Sequence, residues 1–122
     1  MSDSRQRLGK RGEEMAKRHL QAIGYRILEA NHRAKAGEID LVAEKDGALV
    51  FVEVRARTGA AIGSPEESIT PRKRSHMVDA AQEYLQSHDV EGREWRIDLV
   101  ALEFSPGGRL VRLDVLENPV EV

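Results

Sequence analysis

Asp40, Glu53 and Arg55 lie in the stretch GEIDLVAEKDGALVFVEVRAR, Gly37 to Arg57, where two acids and a cation fall at places set by strand periodicity. Ile39, Leu41 and Ala43 alternate with Glu38, Asp40 and Glu44. Val50, Val52 and Val54 alternate with Phe51, Glu53 and Arg55, again the period of half-buried strands. Between the two runs, Asp46-Gly47 is a two-residue type I′ turn signal. With that turn Lys45 faces Ala48, Leu41 faces Val52 and Asp40 faces Glu53. A three-residue loop would slip the register by one and separate the acids.

Like charges placed directly opposite in an antiparallel pair, with Cβ atoms roughly 4.5–5.5 Å apart, destabilise it. A compensating charge is therefore required. Arg55, two residues beyond Glu53 and on the same face, is one source; a divalent cation held by hard carboxylate oxygens is the other. The spacing leaves both open. The plain alternative is a hairpin whose charged face is simply solvated.

The hairpin needs elements around it. Leu8, Gly12, Met15, Ala16, His19, Leu20 and Ile23 recur at helical spacing, which predicts a helix from about Arg5 to Ile23 stopped by Gly24. A short strand is predicted around Tyr25 to Ala30. Thr58 to Ile69 reads as a loop, with two glycines and Pro65. Thr70-Pro71, a capping threonine followed by proline in the first turn, opens a second helix that runs to about Ser87. Strands over Trp95–Phe104 and Leu110–Glu117 flank the turn Ser105-Pro106-Gly107-Gly108. The order αβββαββ predicts an α/β fold, a mixed sheet with helices packed on it.

At 122 residues the chain is one domain, 1–122, with room for a single core. It has no cysteine, which excludes disulfides and thiolate metal sites. No stretch approaches a membrane span and MSDSRQRLGKR lacks the apolar run of a signal peptide, so a cytoplasmic protein without membrane contact is expected. The net charge of -2 conceals an asymmetry: residues 1–74 hold 15 of the 19 Lys and Arg against 11 of the 21 acids. A basic half that also carries the hairpin points to a polyanionic partner, or to ordinary solvated charge.

Arg72, Lys73 and Arg74 cluster at the start of the second helix, where free N–H groups and the helix dipole add to side-chain charge in contacting phosphate. Arg33, Lys35 and Arg57 extend such a rim. For Lys73 a surface charge is the plainer reading. The four histidines show no ligand spacing, and Gly9 and Gly12 lack the strand and Lys-Ser/Thr of a phosphate loop. Asp98, inside an apolar strand, is a structural candidate for pairing with Arg96 or Arg112, or for supporting the hairpin acids.

The stretches LGKRGEEMAKRHL, GYRILEANHR, GEIDLVA, VFVEVRAR, GSPEESITPRK and RIDLVAL resemble, in this order, the uncharacterised bacterial family UPF0102, the YraN family. That family is similar to Holliday-junction resolvases and to the restriction-endonuclease-like nucleases. The resemblance implies a restriction-endonuclease-like domain cleaving phosphodiester bonds in DNA, branched or damaged DNA included. It implies Asp40 and Glu53 as ligands of Mg²⁺ or Mn²⁺ and Glu13 as an auxiliary acid from the first helix. Arg55 stands where the superfamily carries the lysine of E-x-K. Nucleic acid is the partner implied, with a homodimer left open.

Without the resemblance, Glu13 and Glu14 are polar positions of an amphipathic helix, spaced to pair with Lys17 and Arg18. Arginine, with a pKa above about 12, cannot act as a general base, although its fork can hold a phosphate. The alternative is therefore a nucleic-acid-binding module that keeps the fold and has lost cleavage. Five aromatic residues in all, most of them needed by a core, favour recognition of backbone and shape over base stacking.

Overall fold

The computed structural model describes residues 2–59 and 63–117, and side chains from residue 7 onward. Helix α1 spans Ser2–Ala22, strand β1 Arg26–Arg33, β2 Glu38–Lys45 and β3 Ala48–Thr58. A short 3-10 turn, Glu66–Ser68, leads into helix α2, Pro71–Ser87, and strands β4, Trp95–Phe104, and β5, Leu110–Leu116, complete the chain. The five strands form one sheet in the order β1-β2-β3-β4-β5. Strands β3 and β4 run parallel, joined through α2, and every other neighbouring pair is antiparallel. This is the expected mixed α/β sheet, and its elements follow the expected order.

The two helices cover opposite faces. Ala16 and Leu20 of α1 pack on Leu41, Ala43, Val50, Val52, Val100, Leu102 and Phe104. Ala80, Ala81, Tyr84 and Leu85 of α2 pack on Val42, Leu49, Phe51 and Ile97. Strands β3 and β4 are thus apolar on both faces, which is why ALVFV and LVAL read as continuous runs. Each fully buried Val or Leu there stabilises the fold by about 1.5–3 kcal/mol. Edge strands β1 and β5 instead mix exposed and half-buried positions.

Local chemistry sets the boundaries. Asp46 and Gly47 both have positive φ, 51° and 84°, as a type I′ turn requires. Gly24, at φ 101°, stops α1. Thr70 caps α2, its Oγ1 accepting the Lys73 N–H at 3.1 Å, with Pro71 in the first turn. Strand β1 starts one residue later and runs three residues further than the periodicity suggests. Tyr25 turns its side chain into the core, donating to Asp98 at 2.7 Å, while Asn31 adopts φ 54° and pairing with β2 continues to Arg33. Residues 60–62 of the expected loop lie outside the described residues.

Asp98 is wholly buried and accepts from Tyr25 and from Arg96 Nε at 3.0 Å. Its partner is thus Arg96 and not Arg112. Arg112 forks onto Glu66 at 2.9 and 3.1 Å and also donates to Glu103 and Asp114. The bidentate grip fixes the turn ahead of α2, and with it the position of the helix N-terminus.

Candidate functional site

The hairpin ladder pairs Lys45 with Ala48 and Leu41 with Val52, the register that the turn predicts. Its last pair is Leu41–Val52, so Asp40 and Glu53 do not meet as ladder neighbours. Ile39 packs among the α2-side residues and Leu41 among the α1-side ones, although a regular strand puts i and i+2 on one face. The chain therefore turns over at Asp40. Its carboxylate takes the place of a ladder carbonyl, accepting the Val54 N–H at 2.8 Å.

The two acids still act on one another, each bearing on the other's ionisation. Burial, then the adjacent Asp40 charge, pushes Glu53 up to about 8. Burial also raises Asp40, against the opposing effect of the Val54 N–H and of Glu53. Burial and the Asp40 charge thus favour a proton on Glu53, while Arg55 favours its charged form. On its other side Glu53 is ion-paired to Arg55, Nη2 to Oε2, at 2.6 Å. Both compensations considered for facing acids remain compatible with this geometry, and the arginine supplies one of them directly.

Next to the pair, and not lined by either acid itself, opens a cleft of about 890 Å³ between residues 7–13 of α1, the end of β3 and the start of α2. Glu13 lines it together with Arg7, Arg11, Arg55, Arg57 and Lys73. Gly12 lets α1 approach: a Cβ there would lie 3.1 Å from the Ala56 Cβ of β3. Burial first, and Asp40 second, raise Glu13 above the usual carboxylate range. The Asn31 amide is assigned with its NH₂ toward the acids, because the opposite orientation sets its oxygen against two carboxylates; so placed, it donates to Glu13 Oε1 and Glu38 Oε1 at 3.0 Å each. Lys73 acts on Glu53 through its charge, lowering the acid's pKa. Arg55 Nε is buried with no hydrogen-bond partner among the described residues.

A profile of the uncharacterised protein family UPF0102 matches residues 12–102. The chain is 47% identical to a UPF0102 protein of Pelotomaculum thermopropionicum over 118 residues, 97% of this chain and 98% of the relative. A UPF0102 protein of Roseiflexus castenholzii is 43% identical over 122 residues, covering 99% and 98%, and one of Dehalococcoides mccartyi 38% identical over 118, covering 97% and 96%. The chain belongs to UPF0102. The span matched to UPF0102 includes Glu13, Asp40, Glu53, Arg55 and Lys73, while Arg7 and Arg11 lie ahead of it.

Of the cations expected to form a rim, Arg57 and Lys73 line the cleft; Arg33, Lys35, Arg72 and Arg74 are exposed and do not. For Lys35 the reason is visible, because its backbone N–H is tied to Glu83 of α2 at 2.7 Å. Sequence reasoning missed Arg7 and Arg11, whose i, i+4 spacing places them on one side of the helix that carries Glu13. It also missed Asn31, for which the only signal was an asparagine inside a strand pattern. Arg11 has a second tie, donating to the Gly108 carbonyl at 2.6 Å and lying over the Phe104 ring.

Proposed function

We propose that this chain is a metal-dependent nuclease acting on DNA, with Asp40 and Glu53 at its centre. The observation that carries the reading is the pairing of Asp40, held by the Val54 N–H, with Glu53, held by Arg55, beside a cleft lined by five cations and Glu13. Two half-buried carboxyls that act on one another are hard oxygen donors whose joint ionisation favours a cation, which suits Mg²⁺ or Mn²⁺. Among the described residues no group of three or more His, Asp or Glu side chains is arranged to hold an ion. Two carboxylates are nevertheless enough for Mg²⁺, which keeps several waters and takes substrate phosphate oxygens. Such an ion, when bound, neutralises charge on the phosphoryl oxygens and makes a water nucleophilic.

The chain's own side chains supply the rest. Arg55, whose side chain reaches the cleft, holds the scissile phosphate through its guanidinium. Arg57, Lys73, Arg7 and Arg11 bind flanking phosphates, reading backbone and not bases. Glu13, with its raised pKa, exchanges a proton with water or the leaving oxygen. A second reading, a binding module without cleavage, is favoured by the Glu53–Arg55 ion pair, because the guanidinium neutralises Glu53 and cannot take a proton.

Thermal midpoints with and without metal test the site. A ligand that binds only the folded pair stabilises it by about 2.7 kcal/mol at a hundredfold excess over Kd. Millimolar Mn²⁺ is expected to raise the midpoint of the parent and not that of Asp40→Asn. Equal responses in the two proteins, or none in the parent, would remove the metal site.

A further inference from the structure

Asn31 occupies a conformation that its neighbours in β1 do not share. Ala30 pairs with Leu41 and His32 with Ile39, so Asn31 lies across from Asp40 in the ladder, at φ 54°. Non-glycine residues reach the left-handed region rarely, asparagine more easily than most, and such positions gather at functional sites. The residue is exposed, on an edge strand, and belongs to neither apolar cluster. The conformation instead serves the amide, whose two hydrogens go to two carboxylates on different elements, Glu13 of α1 and Glu38 of β2, at 3.0 Å each. Both of those acids act on Asp40 or are acted on by it.

We infer that Asn31 is a positioning residue of the cleft: its amide fixes the α1 carboxylate, Glu13, beside the Asp40–Glu53 pair. Glu38, on the same strand as Asp40, is the anchor at the other end of the amide. Two acids this close repel, and a doubly donating neutral group between them allows both to stay. Only a side chain with two hydrogens on one nitrogen and a tolerance for positive φ does this at position 31. For its catalytic consequence the inference rests on the nuclease reading.

Asn31→Gly removes the amide and keeps the backbone, since glycine adopts positive φ freely. Cleavage rate at saturating Mn²⁺ and DNA, DNA affinity, and the metal-free thermal midpoint are measured for the parent, Asn31→Gly, Glu13→Ala, the double variant and Asp40→Asn. Expected for Asn31→Gly are a DNA affinity close to the parent's, a midpoint below the parent's because two facing acids lose their shared donor, and a rate lower by ten- to a hundredfold, the range for residues that orient a reacting group. The double variant is expected to be no slower than Glu13→Ala alone, because Asn31 acts through Glu13. An Asn31→Gly rate equal to the parent's, or losses that multiply in the double variant, overturns the inference and leaves the nuclease reading standing. If parent and Asp40→Asn are equally inactive, the nuclease reading falls, and the inference is decided by the midpoints: shifts that simply add in the double variant overturn it, and a shortfall supports it.

Discussion

Burial favours the protonated form of Glu53, and its titration has a definite sign. A carboxyl whose pKa rises from an ordinary 4.5 to about 8 on folding favours the folded state fully below 4.5. That contribution is lost as pH rises through about 8. Glu53→Gln abolishes the ionisation. Its stability is therefore expected to fall less than the parent's between pH 5 and 8.5, and to exceed the parent's at pH 8.5 by roughly 1–2 kcal/mol, the scale of relieving a buried charge. Denaturant titrations at both pH values check this; parallel profiles would show that Glu53 ionises freely in the fold. Bound metal reverses the trend, since it needs the proton gone and binds more tightly as pH rises.

At the scale of elements, the site depends on α1 lying close to β3, which Gly12 permits. Gly12→Val places new atoms where a Cβ alone would already be 3.1 Å from Ala56. The overpacking is expected to destabilise the fold by about 1–3 kcal/mol and to lift Glu13 out of the cleft. Gly9 on the same helix has nothing within 4 Å of an added Cβ, so Gly9→Ala is expected to stabilise by about 0.5–1 kcal/mol. Equilibrium unfolding of the two variants separates the effects, and equal changes would refute the close approach. Much of this arrangement was legible in the sequence. Asp46-Gly47 specified the register to Leu41–Val52, and Thr70-Pro71 specified the start of α2, because turn and cap chemistry is local. The reversal of β2 at Asp40 was not legible, since it depends on the Val54 N–H and on packing against two different helices. Arg7 and Arg11 were not legible as cleft residues for a similar reason: helical spacing says which side they share, and only the packing of α1 on β3 says what that side faces.

Over the whole molecule, positive charge from α1, β3 and α2 converges on one cleft, although the chain carries a net charge of -2. Convergence, and not overall charge, is what supports the proposed binding of a polyanion. Charge reversal at Arg57 or Lys73 is expected to weaken DNA binding about equally across sequences and to reduce the salt dependence by roughly one unit per lost phosphate contact. Reversal at Arg33, which does not line the cleft, should do so less; equal effects at all three positions would disperse the interface over the surface. No described helix is long and apolar enough to cross a membrane. The central claim is phosphodiester cleavage at the Asp40–Glu53 pair, and it is tested most directly by incubating linear, flapped and four-way DNA with the parent, Asp40→Asn and Arg55→Lys, with and without Mn²⁺. The account predicts metal-dependent product from the parent, none from Asp40→Asn, and at least as much from Arg55→Lys, whose amine keeps the phosphate contact. The same trace of product from all three proteins would mark a contaminating nuclease and contradict the account.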